Sequence, residues 1–202
     1  MTTPPTVYVI DDDPLVLAAL VKVITDANLP IETYTCGEDF LSSYRPANPG
    51  CILIDVMMPG INGLELQEAL KLEGNCAPII FLSGAGTVHI SVDALKSGAM
   101  DFLEKPINAV ELVETVEKAM KLDLVIRYKQ LQRSHIDLKV SRLTPREVEV
   151  MKWMLDGRSN KMIARILDIS SRTVEIHRGN IIRKMEANSL VELSRMISET
   201  KK

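Results

Sequence analysis

Asp11, Asp12 and Asp55, together with the Ser83 hydroxyl and the Lys105 ammonium, are residue types that can carry out phosphoryl transfer if the chain brings them to one place. Two like charges 4 Å apart cost roughly 4 kcal/mol at an effective dielectric near 20, so a cluster of aspartates calls for a cation. Oxygen-only ligands point to magnesium, which prefers octahedral oxygen coordination, keeps several waters and commonly shares its shell with a phosphate. A carboxylate left free beside it can act as a nucleophile toward phosphorus, and Asp55 is the candidate. Lys105 would offset charge on the transferring oxygens, and Ser83 would donate a hydrogen bond to the aspartyl phosphate.

The elements that must position these groups are short apolar runs. Val7–Ile10 breaks into Asp11-Asp12-Asp13, Cys51–Ile54 into Asp55, Ile79–Leu82 into Ser83, and Phe102-Leu103 into Glu104-Lys105-Pro106. Runs of this kind read as strands buried on both faces of a parallel sheet, where ligands bind beyond the carboxyl ends of the strands. Between them, Pro14 opens a helix with Leu17, Leu20, Val21 and Ile24 at helical spacing. Ile31–Thr35 is a further strand, and helices are expected over Glu38–Tyr44, Leu64–Glu73, 88–97 and from Asn108 onward. Strand and helix in alternation give a doubly wound sheet of five parallel strands.

These motifs, in this order and spacing, resemble the receiver domain of bacterial two-component response regulators over residues 1 to about 121. The resemblance implies a flavodoxin-like fold with Asp55 as the phosphoacceptor. Magnesium would be held by Asp12, Asp55 and the Met57 carbonyl, with Asp11 acting partly through water. Ser83 and Phe102 match the family's switch pair. Met57 and Ala85, two residues beyond Asp55 and Ser83, match positions flanking the path of the hydrolytic water. A sensor histidine kinase is the implied phosphodonor, and a phosphorylation-dependent homodimer is expected through the surface around 94–99, Phe102 and the following helix.

Charge separates the two halves of the chain. Residues 1–121 carry 7 Lys+Arg against 17 Asp+Glu, a formal −10, while residues 122–202 carry 17 against 10, a formal +7. The basic half is the candidate for nucleic acid. Cys36, Cys51 and Cys76 are odd in number and widely spaced, as expected of reduced thiols rather than of a disulfide framework or a zinc site. No apolar run approaches the roughly 20 residues of a membrane span, and the start lacks the regions of a signal peptide. A cytoplasmic protein without membrane contact is expected.

From Pro106 to Pro145 neither Gly nor Pro intervenes, and Val110, Val113, Val116, Met120, Leu124 and Leu131 keep roughly helical spacing. The last receiver helix is therefore expected to run on to about Ser134, making 122–140 a helical linker whose heptad-like spacing permits pairing with a second chain. Thr144-Pro145-Arg146-Glu147 then forms a capping box with proline at the first helical position, and Ser189 and Glu192 form a second box. Helices over Pro145–Asp156, Ser159–Leu167, Ser171–Met185 and Ser189–Glu199 make a small all-α, four-helix, helix-turn-helix domain over 141–202.

Leu143–Glu147, Ser159–Ala164 and Thr173–Arg178 resemble the LuxR-type DNA-binding domain, so the whole chain is similar to the NarL/FixJ family. On the third helix of this domain, Val174, His177, Ile181 and Met185 fall on a packing face, and Arg172, Glu175, Ile176, Gly179 and Arg183 on a face turned to double-stranded DNA. Glu175 can accept from a cytosine amino group, Ile176 can touch a thymine methyl, and Gly179 permits close approach to the base edges. Asn160, Lys161, Ser171, Thr173, Arg178 and Lys184 are placed for phosphates, which give affinity and register. His177 and Trp153 read as packed residues, and the methionines as core filler. RNA polymerase is a further partner that a transcription regulator of this kind can engage. The rival enzymatic reading, a magnesium phosphotransferase using an aspartyl phosphate, needs a substrate pocket and a cap that no segment is left to build. A second rival binds DNA whether or not it carries phosphate, which complete acidic positions argue against.

Overall fold

The structure is a computed structural model that describes residues 4–84 and 98–200, with side chains through Ser198. The helix expected over 88–97, Ala85, and positions 94–97 of the expected dimer surface lie outside the described residues. Two compact units divide between Arg127 and Tyr128.

In the first unit, β1 (Thr6–Ile10), β2 (Ile31–Tyr34), β3 (Gly50–Asp55), β4 (Ile79–Ser83) and β5 (Asp101–Glu104) form one parallel sheet in the order β2-β1-β3-β4-β5. The period of two along β3 explains its continuous apolar sequence, because alternate residues enter different cores. Cys51 and Leu53 pack with α1 (Pro14–Asp26) and the first half of α4 (Ala109–Ser141), while Ile52 and Ile54 pack with α2 (Gly37–Ser43) and α3 (Gly63–Leu72). Burial pushes the Cys51 thiol up to about 12, which fits an inert core residue.

The α4 helix is longer than the sequence leads one to expect, continuing without a break to Ser141 rather than stopping near Ser134. Of its expected apolar row only Val116 is buried, and Leu112 and Ala119, outside that row, share its core. Leu112, Val116 and Ala119 are buried against the sheet, whereas Val110, Leu124 and Leu131 are exposed.

The second unit holds the end of α4 and α5 (Pro145–Leu155), α6 (Asn160–Leu167), α7 (Ser171–Met185) and α8 (Leu190–Thr200). The Thr144 hydroxyl accepts from the Glu147 N–H at 3.2 Å, and the Glu147 carboxylate accepts from the Thr144 N–H at 2.8 Å, completing the expected capping box. The second box is only half made. Ser189 accepts from the Glu192 N–H, but the Glu192 carboxylate takes the backbone and side-chain N–H groups of Asn188 instead. Asn188 offers two donors where the Ser189 backbone would have offered one.

Candidate functional site

The carboxyl ends of the strands carry the acidic groups, as the breaks in the apolar runs predict. Asp11 leaves β1 fully buried, Asp55 ends β3 at 7% exposure, and Asp12 faces solvent. Each of the three offers a carboxylate oxygen, and these oxygens lie within 4.8 Å of one another. Asp13 is used differently: its side chain caps α1 by accepting from the Leu15 N–H at 2.8 Å, with Pro14 at the first helical position. The Asp13 N–H donates to the Asp11 carboxylate at 2.9 Å, so the helix start and the acidic cluster brace each other.

Lys105, just beyond β5, completes the cluster. Its ammonium donates to Asp11 at 2.7 Å and lies 3.2 Å from Asp55. Burial pushes the Asp55 carboxyl above the ordinary carboxylate range, with the neighbouring Asp11 charge acting in the same direction and Lys105 and the Met57 N–H opposing it. Burial alone would lower the Lys105 ammonium, but the two carboxylates outweigh it and raise it. Among the described residues, one ammonium beside three carboxylates leaves the cluster net negative. An all-oxygen donor set of that charge fits a small hard divalent cation.

Of the remaining receiver positions, Ser83 is joined to the cluster through the backbone of Lys105. Ser83 is buried at the end of β4, beside β3 in the sheet, and the Lys105 N–H donates to its carbonyl at 2.7 Å. Phe102 stands on the edge strand and is 38% exposed, so it is not a core residue. Met57, 65% exposed next to buried Met58, departs from the expectation that the methionines fill cores. Sequence reasoning passed over Gly63, whose Cα faces the Asp55 carbonyl so closely that a Cβ would lie 2.4 Å from that oxygen. Only glycine lets α3 start this near the strand that ends in Asp55.

In the second unit, α7 keeps the two faces that its sequence implies. Val174, Ile181 and Met185 are buried, while Arg172, Glu175, Ile176, Gly179 and Arg183 are exposed. His177 is half-buried with its Nδ1 unpaired, and Trp153 packs against the core. Arg172 and Glu175 form a solvent-exposed pair at 3.3 Å. Lys161 is exposed, Asn160 and Arg178 are half-buried, and Ser171 is exposed at the helix start. Thr173 shares its hydroxyl with Ser170, which caps α7 by accepting from the Thr173 N–H at 3.0 Å.

Lys184 is placed differently from its expected role as a phosphate contact. Its ammonium donates at 2.6 Å to Glu147, whose side chain is 4% exposed, and so ties α7 to α5. A buried carboxylate requires its partner, which withdraws this cation from the surface. Burial would raise the Glu147 carboxyl, but Lys184 and the Thr144 N–H hold it below its ordinary range.

Residues 7–117 match the family described as the response regulator receiver domain, and residues 141–197 match bacterial regulatory proteins of the luxR family. The transcriptional regulatory protein FixJ of Bradyrhizobium diazoefficiens is 38% identical over 196 residues, covering 97% of this chain and 96% of that one. The response regulator protein TodT of Pseudomonas putida is 38% identical over 195 residues, covering 96% and 86%. Among solved structures, the response regulator StyR superposes with a TM-score of 0.83 at 35% identity, covering 98% of this chain and all of that one. Full-length FixJ from B. japonicum gives 0.60 at 36% identity, covering 99% and 98%.

Proposed function

Because the chain belongs to the response regulators that join a receiver to a LuxR-type DNA-binding domain, we propose that a sensor histidine kinase phosphorylates it on Asp55, and that the phosphorylated protein pairs and binds a two-part DNA site to regulate transcription. The observation that carries this reading is the meeting of Asp11, Asp12, Asp55 and Lys105 at one sheet edge. A carboxylate oxygen of Asp55 attacks the phosphorus of a phosphohistidine. The P–O bond of an acyl phosphate forms as the P–N bond breaks, and the electron pair leaves with the imidazole nitrogen, which takes up a proton. Lys105 offsets charge on the phosphoryl oxygens, and Ser83 donates to one of them once the aspartyl phosphate has formed.

Asp11, Asp12, Asp55 and the Met57 carbonyl would hold the magnesium ion, which supplies charge neutralisation and orients the phosphoryl group. The carboxylates then need no longer repel one another, and Asp55 is freed to act as nucleophile. Engagement of Ser83 with the phosphate is read out by Phe102, half-exposed on the neighbouring edge strand, and with it by the surface that pairs with a second receiver.

The lifetime of the signal rests on Met57. It stands exposed beside Asp55 and has no group to orient an attacking water. The aspartyl phosphate is expected to decay slowly, and Met57→Asn, whose amide can hold a water within hydrogen-bond reach, to decay severalfold faster. Loss of phosphate from purified, kinase-free protein measures this, and equal rates would assign Met57 no part in the lifetime.

For DNA, exposed Lys161 at the start of α6 supports a phosphate contact, together with Asn160, Ser171, Thr173 and Arg178. Arg172, Glu175, Ile176, Gly179 and Arg183 face the base edges. Lys161→Ala is expected to weaken all sites alike and to reduce the salt slope by about one, whereas Glu175→Ala relaxes preference at one base position. Binding titrations at several salt concentrations on a family of single-base variants separate the two. Interchanged behaviour would mean that the faces are assigned backwards.

A further inference from the structure

From Tyr128 onward, α4 presents two different faces. Ile136, Lys139 and Val140 turn into the second unit, where Ile136 and Val140 join its core and Lys139 pairs with Glu186 at 2.9 Å. At 100° per residue, Tyr128, Leu131, His135 and Leu138 form a row whose centre lies about 110° from the centre of that face, with Lys139 on the border between the two. Tyr128 is 64%, Leu131 70% and Leu138 63% exposed. Single exposed apolar residues are ordinary, but large ones stacked in one row are not.

The spacing of the row is that of a helix seam. Tyr128, Leu131, His135 and Leu138 are separated by three, four and three residues, and Leu124, seven residues before Leu131, continues the repeat within the same helix. A period of 3.5 keeps a stripe facing a partner helix of the same period. Leucine recurs at one core position of the repeat, through 124, 131 and 138, as it does in two-stranded parallel pairs, while Tyr128 and His135 stand where such pairs carry β-branched residues.

Charge at the seam's edges favours an identical partner. In a parallel pair the flanking positions bring Arg127 opposite Gln132 and Ser134 opposite Lys139 of the other copy, so no two like charges are opposed. Both cations are internally engaged: Arg127 is bound to buried Asp123 at 2.8 Å, and Lys139 is bound to Glu186. Two copies can therefore approach without facing unpaired charge, and the polar residues at the alternate core position, Tyr128 and His135, meet their own counterparts when the register is correct.

We propose that two copies of this chain pair in parallel through a seam formed by Tyr128, Leu131, His135 and Leu138, extended by Leu124. The seam rests on the dimer reading given above and adds a second pairing surface to it. It holds the two DNA-binding units at the same end of the pair, as a two-part site requires.

Full-length protein phosphorylated with a small phosphodonor and magnesium provides the test, with self-association read by sedimentation. A chain carrying both Leu131→Glu and Leu138→Glu is expected to take up phosphate as wild type does and to associate at least tenfold more weakly. In a companion measurement, Leu131→Cys is expected to cross-link readily under mild oxidation. Gln130→Cys, one residue away on the polar side, should cross-link no more than wild type with its own three cysteines. If wild type dimerises and the double variant dimerises equally well, the chains pair elsewhere, so the seam is wrong while the dimer stands. If phosphorylated wild type stays monomeric, both readings fall. Equal cross-linking at 130 and 131 would show chance collision and would also overturn the seam.

Discussion

Asp55→Asn protein is expected to take up no phosphoryl group from a kinase or a small phosphodonor, because the amide preserves the shape of the side chain but removes the nucleophilic carboxylate. The loss should be complete, since Asp11 is fully buried and already committed to Lys105 and to the Asp13 N–H. Asp12→Ala should fail for a different reason. It keeps the nucleophile but removes one of the three carboxylates of the cluster, so uptake should be lost or should no longer depend on magnesium. Radiolabelled phosphate retained on the protein after denaturation measures both variants. Stoichiometric label on Asp55→Asn would place the phosphoacceptor elsewhere.

Arg127→Ala is expected to destabilise the first unit by about 3–5 kcal/mol, the range seen when one partner of a buried ion pair is removed. Arg127 donates through Nε to both oxygens of Asp123, whose side chain is 1% exposed, and through its other nitrogens to the carbonyls of Pro46, Ala47 and Asn48. Asp123 also accepts from the Gly50 N–H at 2.9 Å, at the point where β3 begins. Gly50 has φ +145, and a Cβ there would overlap the Thr6 carbonyl, so the entry into the strand requires glycine. Without the guanidinium, the buried carboxylate keeps only the Gly50 N–H, and three carbonyls lose the same donor together. Arg127→Lys should rescue little, because an ammonium cannot serve the carboxylate and three carbonyls at once. The control is Lys121→Ala, which removes an exposed pair with Glu117 at 3.6 Å and should cost under about 0.5 kcal/mol. Denaturant unfolding followed at the receiver would decide, and matching midpoints for Arg127→Ala and wild type would show that the clamp contributes nothing.

The strand ends that carry Asp11, Asp55 and Ser83 were legible because, in a parallel sheet, an apolar run that breaks into a polar residue marks the point where a doubly buried strand emerges from the core. The clamp was not. Asp123 and Arg127, four apart on a helix, look like any solvent-exposed ion pair, and only tertiary packing reveals that one of them is buried. The same limit applies to Lys184, which a helical wheel places on the surface. The wheel contains nothing of α5, where Glu147 waits as a buried acceptor. Half of the second capping box was misread because Asn188, one residue upstream, competes for the same carboxylate. Gly63 gave a weak signal at best, since an isolated glycine after Asn62 reads first as part of a turn.

The expected boundary at residue 121 falls inside α4, and the residues beyond it are claimed first by the receiver and then by the second unit. Asp123 and Arg127 hold the entry to β3, and Ile136 and Val140 help to build the DNA-binding unit. A chimera cut at 121 would therefore strip the receiver of its clamp and hand the new partner a stretch of foreign helix. Joining a different sensor input to this output, whether in the laboratory or over the course of gene fusion, requires a splice between Arg127 and Ile136. There the reading frame of the helix matters as much as that of the codons: one inserted residue turns everything beyond it by about 100°, while seven nearly restore the original facing. Viable recombinants of this chain should accordingly differ in linker length by whole heptads.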